Sequence, residues 1–187
     1  FLIISFLISY LIVKNFGNNH LINTVLIGSA FYLLMITIRD FLKEKKQNFS
    51  QNLSHFGFSL LILSILFNNI FSSEVITNLK VGETFKNEKF KIEFNDLKKF
   101  EKKNYISFKG YFLIEGKKSK EKLEPELRVY NQPNIVTSEA DIKTSLFEDK
   151  FITINVVKNK EYFNVRYQTK PFMIWIWFSV LLITLGG

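Results

Sequence analysis

The chain has 187 residues, 47% of them hydrophobic, with a formal net charge of +8 and no cysteine. The lack of cysteine excludes disulfides, thiolate metal sites and a cysteine nucleophile within this stretch. The positive charge comes mostly from lysines scattered among glutamates, which argues against sequence-specific nucleic-acid binding. Such a composition is typical of a chain divided between membrane spans and a polar domain.

Four apolar runs indicate membrane spans. Two of them, residues 21–38 and 53–71, approach the roughly 20 residues that a helix needs to cross a bilayer. The outer two, residues 1–13 and 171–187, are shorter and coincide with the chain ends, so we expect the chain to be part of a larger membrane protein. The first run has neither the basic start nor the cleavage site of a signal peptide.

The distribution of basic residues predicts the orientation in the membrane. The segment 39–51 carries four basic residues, whereas the segment 14–20 carries one. Because short basic loops stay in the cytoplasm, the third run is expected to lead outward and the fourth to return. The segment 72–170 is then extracytoplasmic.

The extracytoplasmic segment has a β-strand pattern. Phe90, Ile92 and Phe94 alternate with charged residues, which is the period of a half-buried strand. Three further runs are rich in aromatic and β-branched residues: Tyr105–Ile114, Phe151–Val157 and Tyr162–Tyr167. Turn signals separate the runs: Gly82, Gly116, Pro133 and Asn159. The segment contains no catalytic constellation, and most of its charges are interpreted as solvated surface.

These patterns predict an α+β membrane protein. Residues 1–71 would form three transmembrane helices, with the first incomplete. Residues 72–170 would form a small antiparallel β-sandwich or barrel, inserted between the last two spans. Residues 171–187 would begin the last transmembrane helix.

His55 is the leading candidate for a functional residue, because an ionisable side chain in a membrane span is costly to bury. A helix cap at Ser50 or Asn52 would leave His55 in the first helical turn. The helix dipole would there favour the neutral imidazole, which can bind a metal. Small neighbours would let a second helix or a flat macrocycle approach closely: Ser54, Gly57 and Ser64. A histidine hydrogen-bonded to a neighbouring helix or to interfacial water is the alternative.

Trp175 and Trp177 follow Lys170-Pro171 at the start of the last apolar run. Aromatic rings at this position are typical interface anchors in the lipid headgroup region. An outer haem site shaped by the two rings is the alternative. The second histidine, His20, lies in a short loop and is interpreted as ordinary surface.

Several strings occur in an order that resembles a known family. Leu53–Gly57 resembles a Leu-Ala-His-Leu-Gly-like start of a span. The most specific string is Thr169–Trp177, a Lys-Pro-Phe block ending in Trp-Ile-Trp, followed by a span that ends in Gly-Gly. Weaker likenesses lie between them: Lys80–Glu83, Lys103–Tyr105, Pro125–Tyr130 and Val136–Ile142. Together these strings resemble the C-terminal part of the CcmF family of bacterial cytochrome c maturation proteins.

The resemblance implies a membrane subunit of the cytochrome c haem lyase in the bacterial inner membrane, with residues 72–170 facing the periplasm. Such a subunit accepts haem from a haem chaperone and, with a partner lyase subunit, ligates it to apocytochrome c. The resemblance also implies a b-type haem between two transmembrane histidines, with His55 matching the second, and possible electron supply from quinol. Gly57 would allow close approach of a helix or of this haem. Catalytic residues and the other histidine would lie outside this stretch.

Two other functions remain open from the sequence. A paralogous subunit dedicated to a nitrite-reductase cytochrome would share all of these strings. A non-enzymatic membrane protein, whose outer β-domain binds a ligand or partner, belongs to a different class. In that case His55 would be dispensable and no haem would be retained.

Overall fold

The computed structural model describes residues 1–16, 20–43, 49–116, 120–157 and 161–187, with His20 described by its backbone alone. These residues divide into two compact units. The helical unit comprises Phe1–Ser72, Thr144–Asp149 and Lys170–Gly187. The sandwich unit comprises Ser73–Lys143 and Lys150–Thr169.

Four helices lie in the described part of the helical unit: α1 Leu2–Phe16, α2 His20–Lys43, α3 Phe49–Phe71 and α4 Met173–Gly186. Each helix packs against the next one in chain order. Two stretches are long and apolar enough to cross a membrane, Leu21–Lys43 and Phe49–Phe71, while α1 and α4 are shorter apolar helices. The two complete spans expected from the sequence therefore correspond to α2 and α3.

Small side chains hold α1 and α2 close together. An added Cβ at Gly28 would lie 2.9 Å from the ring of Phe6, so the two helices touch at this glycine. Ser9 is fully buried, and its hydroxyl donates a hydrogen bond to the carbonyl of Thr24 at 2.6 Å. Serine and glycine contacts of this kind are characteristic of helices that associate in lipid.

Ten strands are found among the described residues: β1 Ser73–Leu79, β2 Thr84–Lys86, β3 Phe90–Glu101, β4 Tyr105–Gly116, β5 Lys120–Leu123, β6 Glu126–Tyr130, β7 Ile135–Glu139, β8 Asp141–Thr144, β9 Glu148–Val156 and β10 Phe163–Pro171. One sheet has the strand order β1-β10-β9-β8. The other has the order β2-β3-β4-β6-β7, with β5 also pairing with β4. The pairing of β1 with β10 is antiparallel, as are the pairings of β3 with β2 and β4. The predicted antiparallel β-domain is confirmed as a sandwich of two sheets.

The core of the sandwich unit lies between the two sheets and takes residues from both. Ile92 and Phe94 are fully buried, as the alternation along β3 predicts. Phe94 stacks on Phe112 of β4, with ring centroids 4.3 Å apart. From the other sheet come Ile152 and Ile154, which are also fully buried. Two facing apolar sheets are the ordinary way for such strands to exclude water.

Three of the four predicted turn signals lie in described residues. Gly82 has φ of 87° in the turn before β2, a conformation that favours glycine. Pro133 lies in the turn between β6 and β7, and Gly116 is the last residue of β4. Asn159 lies outside the described residues, as do parts of the two loops from which the orientation was predicted, residues 17–19 and 44–48.

Candidate functional site

His55 lies in the second turn of α3, not in the first. The helix begins at Phe49, so His55 is its seventh residue. The predicted cap at Ser50 or Asn52 is wrong, because both residues lie inside the helix, and Asn52 is buried. Since the helix dipole acts mainly within the first turn, its effect on His55 is smaller than the sequence suggested.

The side chain of His55 is exposed, and it belongs to a stripe of exposed residues along α3. We call this stripe the His55 face; its members are Gln51, His55, Phe58, Ile65 and Asn69. Phe58 and Ile65 are each about half exposed, at 51% and 49%. Within the described residues the ring of His55 makes no hydrogen bond, so the predicted alternative of a partner on a neighbouring helix is not seen there.

A second face of α3 packs against α2. The rings of Phe41 and Phe56 lie 6.2 Å apart, and those of Phe31 and Phe67 lie 6.0 Å apart. Leu63 is buried on the same face. These contacts fix the rotation of α3 about its axis, which keeps the His55 face turned away from α2.

A third face of α3 packs closely against α4 through glycine. An added Cβ at Gly57 would lie 2.9 Å from Cγ1 and 3.0 Å from the backbone nitrogen of Ile183. From the other side, an added Cβ at Gly186 would lie 2.5 Å from the backbone nitrogen of Ser54. The close approach at Gly57 is therefore made by a helix in this structure.

Polar side chains also join α3 to α4 and to the residue Pro171 just before α4. The hydroxyl of Ser54 donates to the carbonyl of Ile183 at 3.3 Å, and the amide of Asn68 donates to the carbonyl of Pro171 at 2.6 Å. Because His55 is one residue from Ser54 and two from Gly57, its direction follows from this packing. The α2 and α4 contacts together leave the His55 face as the open side of the helix.

The two tryptophans of α4 have different surroundings. Trp177 is 69% exposed. Trp175 is half-buried, and its indole nitrogen donates a hydrogen bond to the carbonyl of Leu146 at 2.8 Å. Both rings lie in the first two turns of the helix. Their role as interface anchors stays a prediction. His20 begins α2, and its side chain lies outside the described residues.

A charged cleft on the sandwich unit was not predicted from the sequence. Lys109 contacts Glu124 at 2.8 Å and Glu126 at 4.0 Å, and Arg128 contacts Glu126 at 3.1 Å. The hydrogen bond to Glu124 raises the pKa of Lys109, while burial acts in the opposite direction. The strand register brings these residues together across β4 and β6, where Lys109 faces Glu126. Because Lys109 is far along the chain from its partners, local sequence patterns do not predict this cleft.

Among the described residues, no group of three or more His, Cys, Asp or Glu side chains could hold a bare metal ion. A haem does not need such a group, because a single histidine can supply one ligand to its iron. His55 meets that requirement because its ring is exposed and projects from a helix of membrane-spanning length.

The comparison with protein families identifies the sandwich. Residues 70–171 match the family model described as the CcmF C-terminal beta-sandwich. This match covers more than half of the chain, and it includes the ten strands found among the described residues. The chain therefore belongs to the CcmF family, as the strings in its sequence predicted.

Curated relatives and a solved structure agree with this assignment. The chain is 27% identical over 171 residues to cytochrome c-type biogenesis protein CcmF of Pseudomonas aeruginosa, covering 83% of this chain and 26% of that protein. It is 26% identical to CcmF of Escherichia coli K12, covering 72% and 21%. A structure titled cytochrome c heme lyase CcmF superposes on 99% of this chain and 33% of its own, with a TM-score of 0.73 at 14% identity. The chain thus spans about a quarter of the length of these curated relatives, and the solved structure supports its fold.

Proposed function

We propose that this chain is part of a membrane protein of cytochrome c maturation, the subunit of the haem lyase that receives haem from a haem chaperone and ligates it to apocytochrome c. In this proposal His55 is an axial ligand of a b-type haem. The observation that carries the assignment is the exposed ring of His55 on the open face of α3, in a chain of the CcmF family.

The chemistry of His55 supports this role. A neutral imidazole has a lone pair that can bind iron. An uncompensated charge at this position would be costly in a bilayer, whereas a metal bond satisfies one ring nitrogen. The second nitrogen remains available to a hydrogen-bond acceptor that would fix the ring orientation.

The bound haem would supply electron transfer, with electrons arriving from quinol. Two histidine ligands would suit electron transfer rather than oxygen chemistry. His55 would provide one of the two bonds, and the packing of α3 on α2 and α4 would set the side of the helix from which its side chain projects. The other histidine would come from a part of the full-length protein outside this stretch.

The proposed topology has α1 to α3 and α4 as spans in the bacterial inner membrane, with the sandwich domain, residues 72–170, in the periplasm. The basic residues of segment 39–51 support this orientation. The order of elements along the chain, three helices, ten strands and a fourth helix, supports insertion of the sandwich between the last two spans. There the domain would be available to the partner lyase subunit and to apocytochrome c.

The test is the reduced-minus-oxidised visible spectrum of the full-length protein, purified from membranes, for wild type, His55→Ala and His20→Ala. We expect a b-type haem signal that is lost in His55→Ala and kept in His20→Ala. The control removes the other histidine of the chain, so a general effect of losing imidazole is excluded. A signal that is unchanged in His55→Ala contradicts the ligand assignment. Lack of haem in the wild type would favour the non-enzymatic membrane protein.

A further inference from the structure

The turn between β8 and β9 has an apolar tip. The Ser145 N–H donates to the carbonyl of Glu148 at 3.0 Å, and the Ser145 hydroxyl oxygen accepts from the Glu148 N–H at 3.1 Å. The two residues enclosed by these bonds are Leu146 and Phe147, which are 62% and 65% exposed. We call this pair the 146–147 tip. Leucine and phenylalanine are unusual at turn centres, where Gly, Asn, Asp, Pro and Ser dominate.

A second turn in the chain is closed by the same pattern of hydrogen bonds, but it encloses charged residues instead of apolar ones. Between β2 and β3, the Asn87 N–H donates to the carbonyl of Phe90 at 3.0 Å, and the Asn87 side chain accepts from the Phe90 N–H at 2.8 Å. The enclosed residues are Glu88 and Lys89, both exposed. Because a charged pair is compatible with this closure, the backbone alone does not require an apolar pair at the 146–147 tip.

Hydrogen bonds attach the 146–147 tip to the first turn of α4. The indole nitrogen of Trp175 donates to the carbonyl of Leu146 at 2.8 Å, and the Phe172 N–H donates to the carbonyl of Phe147 at 2.8 Å. Both bonds use main-chain carbonyls of the tip, so they hold its backbone while leaving the two side chains exposed.

A groove beside the tip is entirely apolar. Its volume is about 230 Å³, and its lining consists of Leu146, Ile174, Trp175 and Phe178. Within the described residues of α4, none is charged. The exposed apolar surface of the helix is therefore continuous with that of the tip.

We propose that the 146–147 tip inserts into the lipid bilayer beside the tryptophan end of α4, at the boundary between headgroups and acyl chains. The inference rests on the proposed function in one respect, namely that α4 is a membrane span. If it is, the hydrogen bonds to the tip fix Leu146 and Phe147 at the depth where interfacial tryptophans lie. Exposed leucine and phenylalanine gain free energy by leaving water there, and the groove offers space to a lipid chain.

A single-cysteine fluorescence experiment tests the proposal. The chain itself contains no cysteine. Full-length protein, with any cysteine outside this stretch replaced by serine, would carry Leu146→Cys, Glu88→Cys or Leu181→Cys, each labelled with the fluorophore NBD and reconstituted in phosphatidylcholine vesicles. Glu88→Cys is the matched control, because it changes the corresponding tip residue of the charged turn. Leu181, 55% exposed on α4, reports separately whether that helix is in the membrane.

We expect iodide to quench the label at position 146 about tenfold less than the label at 88, because an apolar environment excludes the anion. Lipids with a spin label near the headgroup should quench position 146 more than lipids labelled near the chain end. Iodide quenching of position 146 equal to that of 88 would overturn the proposal, as would protection without quenching by either lipid, which would mean that protein covers the tip. Phe147→Cys repeats the test if Leu146→Cys accumulates poorly.

The label at Leu181 separates the two proposals. If it is protected from iodide and quenched by the spin-labelled lipids while position 146 is not, α4 is in the membrane and the tip proposal alone is wrong. If iodide quenches Leu181 as strongly as it quenches position 88, α4 is not a span, and the membrane topology of the proposed function fails as well.

Discussion

In the sandwich unit, phenylalanine and isoleucine side chains fill the space between two sheets, whereas in the helical unit serine and glycine occupy many of the closest contacts. Ile92, Phe94 and Ile154 are fully buried in the first. Ser9 and Ser59 are fully buried in the second. Their hydroxyls are not orphaned, because Ser59 donates to the carbonyl of Phe56 at 2.9 Å and Ser9 to that of Thr24.

This difference in buried side chains is the one expected between a domain that folds in water and helices that associate in lipid. In water, burying large apolar side chains drives folding, so a small domain needs a core such as that between the two sheets. In lipid, apolar side chains gain little by leaving the solvent, and helices associate through close packing and hydrogen bonds. The helical unit accordingly leaves large apolar side chains exposed along α1, α2 and α4.

The largest expected effect is on the sandwich core. Phe112→Ala should destabilise the sandwich by about 3–5 kcal/mol, because it removes a ring that is 2% exposed and stacked on Phe94. Hydrogen exchange of the β4 amides, followed by mass spectrometry in the full-length protein, measures this change. Phe100→Ala is the control, since that ring is 40% exposed and should cost much less. Equal effects of the two variants would mean that this core does not stabilise the sandwich.

A smaller effect is expected where α3 meets α4. Gly186→Ala would bring a methyl group to 2.5 Å from the nitrogen of Ser54 and 2.6 Å from the carbonyl oxygen of Ser50. Backbone atoms cannot move aside, so the helices must separate, at a cost of about 1–3 kcal/mol. The midpoint of SDS-induced unfolding, followed by circular dichroism, should fall.

Its neighbour Gly187 provides the matched control for this prediction. An added Cβ there would lie 3.4 Å from the carbonyl oxygen of Ile183, which is an ordinary van der Waals distance. Gly187→Ala should therefore leave the unfolding midpoint close to that of the wild type. Two variants with the same midpoint would show that close packing at Gly186 does not hold the helices together.

The smallest effect concerns the charged cleft of the sandwich unit. The hydrogen bond to Glu124 raises the pKa of Lys109, so the folded state holds this proton more tightly than the unfolded state. The resulting stability is present below about pH 10.4 and is lost as the pH rises further. Glu124→Gln should remove at most about 1 kcal/mol at neutral pH and flatten this alkaline loss. Denaturant unfolding at pH 7 and at alkaline pH measures the stability of each variant and its decrease with pH. If Glu124→Gln lost as much stability at alkaline pH as the wild type, the pairing of Lys109 with Glu124 would be contradicted.

The sequence predicted some parts of this molecule because they depend on local chemistry. The alternation of Phe90, Ile92 and Phe94 with charged residues predicted β3, because successive side chains of a strand point to opposite faces. His55 became the leading candidate because a single ionisable residue is conspicuous in an apolar run, and its role stays a prediction. The family strings identified the CcmF family, which the match over residues 70–171 confirms.

Other parts depend on contacts that consecutive residues do not reveal. The apolar residues of α3 lie on all of its faces, so the sequence pattern does not predict which face contacts α2 or α4. Ser50 is a good capping residue, yet the helix begins one residue earlier. The 146–147 tip escaped notice because leucine and phenylalanine are not turn signals.

The central claim, that His55 binds haem iron, is tested most directly by chemical rescue. His55→Gly removes the imidazole and leaves a space that free imidazole can enter. We predict that the full-length variant, purified from membranes, lacks the b-type signal in its reduced-minus-oxidised spectrum, and that added haem together with imidazole restores it. A variant that keeps its haem without imidazole, or that imidazole does not rescue although the protein remains folded, would contradict the assignment of His55 as a ligand.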